Sequence, residues 1–365
     1  MTIKDIIHVI EKSAPHSYAE EWDNTGLLIG DEDDAVNGVL IALELTEAVL
    51  QEAISENRNL IITHHPLIFS EIKKINHQNS IGRMIRQAIA KNIAIYAAHT
   101  NLDNAPKGVN QMLAKQIGLQ DTTILSPQQH QLLKLVTFVP VRDTQKVCEA
   151  IFAVGAGCIG NYDFCSFSVE GEGTFRANEH TYPFVGEIEK LHVEKERRIE
   201  TVFPAYLRRQ VIAALLKVHP YEEPAYDLYQ LENMAGMAGS GIIGTLSNPM
   251  DEKDFLLKLK QILNIPVLRH SGFLGRKISK IALCGGSGSF LIRSALEQKA
   301  DVFITADIKY HDFFIPDKQM ILIDAGHYET EQFTTSLLLD ILNQNFSNFA
   351  ARISDNNTNA VNYLI

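Results

Sequence analysis

Two short apolar segments in the first third of the chain are each followed by side chains that can bind a metal ion. The segments are residues 60–63 and 93–98, and both are typical of buried strands. The polar residues after them are His64, His65, His99 and Asp103. Adjacent side chains on an extended backbone point to opposite sides, so His64 and His65 are expected to reach two ions, or opposite sides of one cluster. The alternative is a pair of loop histidines that only form hydrogen bonds.

A second set of candidate ligands lies near the C-terminal end of the chain. His327 and Glu331 are four residues apart at the start of a predicted helix. Residues at this spacing share one helical face, so both can bind the same ion. The spacing from histidine to acid repeats that of His99 and Asp103. We therefore expect a weak internal duplication, in which the strand ends of two similar halves face each other across a cleft.

Asp307 and His311 follow a neighbouring predicted strand, residues 301–305, in the second half. Their position next to the candidate ligands makes them candidate catalytic groups, which hold a ligand in place or transfer a proton. Ordinary salt bridging is the alternative for both. The Gly-rich segment after the preceding strand, residues 285–289, lacks a complete GxGxxG or Walker pattern. It is either a weak phosphate-binding turn or a tight strand-to-helix turn.

Strands and helices alternate in both outer parts of the chain, residues 1–128 and 237–365. In the first part, strands are predicted at 39–43, 60–63 and 93–98, with helices at 46–55 and 80–91. This order is typical of βαβ units and a parallel sheet. Because parallel strands end at the same edge, the predicted ligands should meet there. The fold class is therefore α/β, with two similar α/β halves.

The central segment, residues 129–236, has a different pattern. Its predicted elements follow the order β-α-β-β-α-β of an α+β ferredoxin-like domain. Residues 176–198 are polar and are predicted to be irregular. His219, Glu222 and Glu223 are either metal ligands or part of an ordered turn, and the flanking prolines favour the turn.

Composition limits the possible partners and compartment. The 365 residues have a formal net charge of −11, which disfavours a general nucleic-acid binder. The N-terminus has no signal-peptide pattern, and no apolar run approaches the ~20 residues of a membrane span. The four cysteines have no CxxC spacing, so buried free thiols are favoured over disulfides. These features favour a cytoplasmic protein that does not interact with membranes.

Six short motifs together resemble the NIF-three-like family, whose members are known as GTP cyclohydrolase 1 type 2 homologues. They are Trp22-Asp-Asn-Thr-Gly-Leu, Thr63-His-His-Pro-Leu, His99-Thr-Asn-Leu-Asp, Cys284-Gly-Gly-Ser-Gly, Thr305-Ala-Asp-Ile-Lys-Tyr-His and Gly326-His-Tyr-Glu-Thr-Glu. The match covers both outer parts of the chain. The central segment resembles the PII/CutA-like domain that longer bacterial members contain.

The resemblance implies a dinuclear metal centre held by five of the candidate residues, with His99 at or near it. These five are His64, His65, Asp103, His327 and Glu331. It also implies a toroidal homohexamer whose metal sites face an inner cavity. One departure from the family pattern is Glu44, where aspartate is expected; it should alter at most a contact behind the ligands.

A mixed imidazole and carboxylate set suits two divalent ions, with Zn²⁺ or Fe²⁺ favoured and Mn²⁺, Co²⁺ or Ni²⁺ possible. Two such ions can activate water for hydrolysis. The first hypothesis is a metal-dependent hydrolase acting on GTP, a related heterocycle or a phosphate ester. The second is a non-catalytic metal-binding or regulatory oligomer, in which the PII-like domain senses a ligand or partner.

Overall fold

The chain forms two compact units, described here from a computed structural model. The structure describes residues 1–129, 131–233, 238–347 and 349–364. The first unit combines Met1–Pro127 with Gly236–Ile365, and the second unit is Gln128–Ala235. The predicted boundary between residues 236 and 237 lies outside the described residues.

The N-terminal part of the first unit alternates helices and strands. They are α1 Ile3–Ser13, β1 Gly26–Ile29, β2 Val39–Ala42, α2 Glu47–Ser55, β3 Leu60–Thr63, α3 Ser80–Ala90, β4 Ala94–Ala97, α4 Thr100–Asp103, α5 Val109–Ile117 and β5 Leu119–Pro127. Side-chain caps set two of the helix starts. Thr46 accepts a hydrogen bond from the Val49 N–H at α2, and Asn79 accepts one from the Gly82 N–H at α3.

The second unit has the β-α-β-β-α-β order expected from the sequence. Its elements are β6 Leu132–Pro140, α6 Thr144–Ala153, β7 Ser166–Arg176, β8 Leu191–Pro204, α7 Arg208–Val218 and β9 Tyr226–Leu231. They form an antiparallel sheet in the order β7-β8-β6-β9. The prediction of irregular structure up to residue 198 is wrong, because β8 begins at Leu191 and all of β7 pairs with it.

The C-terminal part completes the first unit. Its elements are β10 Gly239–Met250, α8 Glu252–Leu263, β11 Arg269–His270, β12 Ile278–Ser287, α9 Ile292–Glu297, β13 Val302–Ala306, β14 Ile321–Asp324, α10 His327–Glu331, α11 Thr334–Asn345 and β15 Ala351–Ile353. Short 3-10 turns across the chain are His16–Tyr18, Val141–Asp143, Ala205–Leu207, Ser289–Leu291 and Tyr310–Phe314.

The first unit contains two mixed sheets with related strand orders. One has the order β1-β4-β3-β2-β15 and the other β11-β14-β13-β12-β10-β5. In each sheet three consecutive strands are parallel, and the strand that precedes them in the chain pairs antiparallel with the third. The two halves of the unit therefore share a four-strand arrangement, as the repeated spacing in the sequence suggests.

Apolar side chains cover both faces of the parallel strands. On one face of the first sheet, Ile41 and Ile62 pack with the buried stripe of α1, whereas on the other face Leu40 and Ile61 pack with α2 and α3. The second sheet is covered in the same way by α5 and α8 on one face and by α9 on the other. Since helices cover the faces, the carboxyl ends of the strands are left for binding residues.

All four cysteines are free thiols, but they are not uniformly buried. Cys284 is buried, Cys148 and Cys165 are partly exposed and Cys158 is exposed. The expectation of buried thiols is therefore wrong for Cys158. Within the described part of the chain, no helix is both long enough and apolar enough to cross a membrane.

Candidate metal centre

The six predicted ligands come together in the first unit, at the carboxyl ends of parallel strands from both sheets. His64 and His65 directly follow β3, and His99 directly precedes α4, which ends at Asp103. His327 and Glu331 are the first and last residues of α10, which follows β14. Their imidazole and carboxylate atoms form three overlapping groups that can each hold a metal ion. The groups are His64 with His65 and His99, His65 with His327 and Glu331, and His64 with Asp103 and Glu331.

The Glu331 carboxylate lies between two sets of ligands. Its Oε2 is 3.2 Å from the Nε2 atoms of both His65 and His327. Its Oε1 is 3.7 Å from His64 Nε2, which in turn is 3.5 Å from Asp103 Oδ1. One buried carboxylate therefore belongs to two ligand groups at once, an arrangement that suits a bridge between two ions.

His64 and His65 do not point to opposite sides of a strand, as the sequence suggested. Their ring centroids are 4.8 Å apart, because the extended strand ends at Thr63 and the chain turns there. The Thr63 hydroxyl donates a hydrogen bond to the His65 carbonyl oxygen within this turn. The two Nε2 atoms still approach different oxygens of Glu331.

In each clustered histidine, an oxygen atom lies against Nδ1, the ring nitrogen that points away from the centre of the cluster. The Nδ1 contacts are His64 with the Ala98 carbonyl oxygen at 2.8 Å, His65 with Glu44 at 2.6 Å, His99 with Asp23 at 2.8 Å and His327 with Asp307 at 2.7 Å. Carbonyl and carboxylate oxygens only accept, so Nδ1 carries the proton in the rings of His64, His99 and His327. Nε2 is then free to bind a metal ion through its lone pair. His65 Nδ1 lies close to Glu44 without hydrogen-bond geometry.

Burial and neighbouring charges shift the pKa values of the clustered residues in opposite directions. Burial lowers the pKa of His65, but the close contacts with Glu331 and Glu44 and the charge of both carboxylates outweigh it and raise the pKa to about 10. Burial likewise lowers the pKa of His327, and Glu331 and Asp307 raise it to about 9. Without metal, protons on these two imidazoles therefore balance the carboxylates.

The other three groups shift according to their neighbours. Burial lowers the pKa of His64, which has the least exposure of the four rings. Burial also raises the pKa of Asp103, and the charge of Glu331 raises it further. For Glu331 burial acts to raise the pKa, but the charge of His64 and the close contacts with all three histidines bring it well below the ordinary value. Of the two carboxylates, Glu331 is therefore the one that stays ionised.

Several buried polar atoms of the cluster lack a partner that a metal ion would supply. His64 Nε2, Asp103 Oδ1 and Glu331 Oε2 have no hydrogen-bond partner among the described residues. Buried polar atoms without partners destabilise a fold by about 1–3 kcal/mol each. Since all three atoms are donors of electron pairs, the residues present fit divalent transition metals.

The Gly-rich segment, residues 285–289, packs against the cluster, which the sequence did not reveal. β12 continues through it to Ser287, so it is not only a turn to a helix. Gly286 has φ +60°, and a Cβ there would overlap the Glu331 Oε1 atom. The Gly286 N–H donates to the Thr330 hydroxyl, and its carbonyl accepts from Thr305. Glycine at this position gives the Glu331 carboxylate its space.

A cavity of about 520 Å³ opens onto the candidate metal centre. Three aromatic side chains on its lining are unusually exposed: Trp22 at 60%, Phe69 at 59% and Phe290 at 66%. Trp22 contacts Phe69 and His99, with ring centroids 5.8 and 6.1 Å away. These rings form an aromatic rim beside His65, His327 and Glu331.

The two candidate catalytic residues have different surroundings. Asp307 holds His327 through Nδ1, whereas His311 is exposed, with its ring edge-on to Tyr310 and tilted relative to Phe314. Within the described ranges, no contact joins His311 to the cluster. Asp23 was missed as a site residue. Glu44, which the sequence was expected to place no nearer than a contact behind the ligands, contacts the Nδ1 atom of His65. The Trp22-Asp-Asn-Thr-Gly motif was the available signal for Asp23.

Two mixed sheets, whose parallel strands end at histidines and carboxylates in one cleft, define an α/β protein with a candidate metal centre. The chain belongs to the Duf34/NIF3 (NGG1p interacting factor 3) family, whose model matches residues 1–360. The family resemblance noted from the sequence is thereby confirmed.

Relatives with the same overall length support this assignment. A Bacillus subtilis protein called GTP cyclohydrolase 1 type 2 homolog is 38% identical over 368 aligned residues, covering 99% of this chain and 98% of the relative. A Halalkalibacterium halodurans protein of the same name is 41% identical over 327 residues, covering 88% and 87%. A solved Bacillus cereus protein related to NIF3 has a TM-score of 0.85 and 38% identity, covering 100% and 99%. A Staphylococcus aureus structure has a TM-score of 0.79 and 35% identity over the same shares.

Proposed function

We propose that this chain is a metal-dependent hydrolase with a dinuclear centre. The observation behind the proposal is the position of Glu331, whose two oxygens approach different sets of ligands at the bottom of an open cavity. Two divalent ions bound there would supply Lewis-acid chemistry and lower the pKa of water to about 7. Zn²⁺ or Fe²⁺ suits the donor set best, with Mn²⁺, Co²⁺ or Ni²⁺ as alternatives.

The residues of the chain position the ions and the substrate. His64 and Asp103 face one side of Glu331, and His65 and His327 face the other. Asp23, the Ala98 carbonyl, Glu44 and Asp307 orient the rings through Nδ1, and His99 completes the cluster beside His64 and His65. These outer contacts hold every imidazole with Nε2 toward the centre.

The aromatic rim favours a substrate with a flat ring. Trp22, Phe69 and Phe290 offer exposed faces on which a heterocycle can stack, at about 1–3 kcal/mol per base. This preference agrees with the name GTP cyclohydrolase 1 type 2 homolog that relatives have, so GTP or a related heterocycle is the first substrate class to test. A phosphate ester is the other class.

The lining also favours a second candidate function. Among the described residues that line the cavity, none is Lys or Arg. A nucleotide's phosphates would then depend on the metal ions for charge compensation. This feature supports a non-catalytic metal-binding or regulatory oligomer, whose PII-like second unit senses a ligand.

Hydrolysis assays on the full chain separate the two candidates. Protein loaded with each metal is assayed with GTP, other nucleotides and a phosphate ester. Activity that His64→Ala abolishes and His8→Ala, an exposed histidine in α1, leaves unchanged supports the hydrolase. No turnover with any metal would contradict the hydrolase and support the non-catalytic metal-binding protein.

The metal content and the substrate class have separate tests. Elemental analysis should give about two transition-metal ions per chain, as in other two-metal sites. A reproducible single ion with all ligands intact would overturn the dinuclear centre. Because Trp22 is the only tryptophan, GTP stacking on the rim should quench the protein's tryptophan fluorescence. Unchanged fluorescence at saturating GTP would show that no heterocycle stacks on the aromatic rim.

Self-association into a toroidal homohexamer is a further part of the proposal, and it rests on the family resemblance. Light scattering on the purified chain should then give six times the chain mass. A monomeric or dimeric mass at micromolar concentration would contradict the proposed hexamer. A cytoplasmic location remains a proposal of the same kind.

A further inference from the structure

The second unit contains its own cavity, of about 580 Å³, on one face of its sheet. Val169 of β7 and Phe138 of β6 pair with Arg198 of β8, so all three point to this face. The opposite face packs the helices against Leu135 and Ile199. The cavity is therefore separate from the hydrophobic core of the unit.

Four aromatic side chains form the apolar part of the lining: Phe138, Phe175, Phe184 and Tyr221. Tyr221 is central, because its ring centroid is 6.1 Å from Phe175 and 6.4 Å from Phe184. His219 fixes the backbone of Tyr221: His219 Nδ1 accepts from the Tyr221 N–H at 3.1 Å, and Nε2 donates to the Phe138 carbonyl oxygen at 3.0 Å. Both nitrogens of His219 are thus used in an ordered turn.

Glu196 is the buried acid of this cavity. It is 9% exposed, and its Oε1 accepts a hydrogen bond from the Tyr221 hydroxyl at 2.7 Å. Glycine at position 173 of β7 leaves space for the carboxylate, because a Cβ there would overlap Glu196 Oε2. No ion pair joins Glu196 to another residue within the described ranges. A buried carboxylate without a cationic partner is costly, and a bound cation would offset that cost.

The other charged residues of the lining do not supply that cation. Five glutamates and two arginines line the cavity, which leaves a formal charge of −3. Arg198 is already paired, because it lies 2.9 Å from Glu200 and its guanidinium carbon lies 6.0 Å from the centre of the Phe138 ring. The guanidinium carbon of Arg142 likewise lies 4.8 Å from the centre of the Phe184 ring. Arg176 is exposed at the end of β7. The electrostatic potential of the cavity therefore favours a positive ligand and opposes an anion.

We propose that this cavity binds a small organic cation with a flat or apolar body. An ammonium, amidinium or guanidinium group would pair with Glu196, and the body would lie against the rings of Phe175 and Tyr221, because Arg198 and Arg142 already lie over Phe138 and Phe184. Cations beside aromatic faces gain a further attraction from the ring quadrupole. The buried acid, its tyrosine partner and the aromatic walls are the elements of such a site. The inference is independent of the metal centre in the first unit.

Three ligands of nearly the same shape test the charge preference in the full chain. Benzamidine is a cation, benzamide is neutral and benzoate is an anion. Calorimetry or ligand-observed NMR should show benzamidine binding about tenfold or more tighter than benzamide, and benzoate weakest. Equal affinity of benzamidine and benzamide, or binding of none of the three, would overturn the proposal.

Variants locate the binding. Glu196→Gln keeps the size and an acceptor for Tyr221 but removes the charge, so the preference for benzamidine should disappear. Glu149→Gln, an exposed glutamate on α6, should leave it intact. Benzamidine should not change Trp22 fluorescence, since Trp22 lies in the first unit. An unchanged preference in Glu196→Gln, or competition by benzamidine at the Trp22 rim, would contradict the assignment to this cavity. If Glu196→Gln does not fold, Glu196→Asp withdraws the charge by one methylene and should weaken benzamidine binding, whereas unchanged binding would contradict the assignment.

Discussion

The Nε2 atoms of His65 and His327 face each other at 3.2 Å, although the residues are 262 positions apart in the chain. The Nδ1 of each ring is held by a carboxylate, Glu44 for His65 and Asp307 for His327. Both Nε2 atoms also lie 3.2 Å from the same oxygen of Glu331. Three electron-pair donors at this separation need a positive charge among them, which either protons or a metal ion can provide.

Metal binding should therefore release protons. In the metal-free chain the raised pKa values, about 10 for His65 and about 9 for His327, mean that both rings are protonated at pH 7.5. A metal ion must displace these protons, so we expect release of about two protons per chain and an apparent affinity that falls as the pH is lowered. Calorimetry in two buffers of different ionisation enthalpy measures the release. Metal binding without proton release would show that these rings are not ligands.

Glu331→Gln should weaken metal binding by about tenfold or more, or ~1.4 kcal/mol. The sequence placed Glu331 in the first turn of a helix, where an acid complements the helix dipole. In the structure it is the last residue of α10, so it does not lie at the N-terminal end where an acid complements the dipole. Helix capping therefore does not explain this residue. Competition with a chelator measures the affinity.

Glu329→Gln is the matched control for Glu331→Gln. Glu329 is on the same helix and is also buried, but it accepts hydrogen bonds from Asn359 and Tyr363 instead of facing the histidines. This variant should change stability and leave metal affinity within about twofold. Equal losses of affinity in both variants would indicate that α10 has been disturbed as a whole.

Much of the site could be predicted from the sequence, because strand ends and ligand residues are both local patterns. The runs before His64 and His99 identify buried strands, and parallel strands end at one edge. What the sequence lacked was the contacts between distant residues. Asp23 reaches His99 across 76 positions, and Glu44 was expected to lie behind the ligands. A polar side chain's partner depends on packing that a single sequence does not show.

The fold shows the same limit in β8. Residues 191–195 alternate between exposed and partly buried positions, and Glu196 is buried. The segment also includes Glu194, Arg197 and Arg198, so its charged composition did not indicate a strand. Pairing with β7 along its length supplies the backbone hydrogen bonds that the composition alone did not suggest. Short apolar strands with clear ends were easier to predict than this long, partly exposed one.

Gly286→Ala should remove metal binding while the chain stays folded. The φ of +60° causes moderate strain for any other residue, about 1–2 kcal/mol, but the added Cβ would also overlap the Glu331 carboxylate. Gly275→Ala is the control, because Gly275 has φ +74° and open space around it. Both variants should lose similar stability in thermal unfolding, and only Gly286→Ala should lose affinity in the chelator competition. Full affinity in Gly286→Ala would show that Glu331 has room to move without loss.

Replacing the second unit with a short turn should leave a folded first unit that still binds metal. Pro127 at the end of β5 is paired with Gly239 at the start of β10, so the two chain ends of the first unit are already adjacent strands. A Gly- and Asn-containing turn can join such strands as a hairpin. The first unit also keeps its own buried clusters, none of which includes residues 128–235. The deletion variant should unfold cooperatively in circular dichroism and hold the same metal per chain as the full protein. A folded variant that binds no metal would show that the second unit shapes the site.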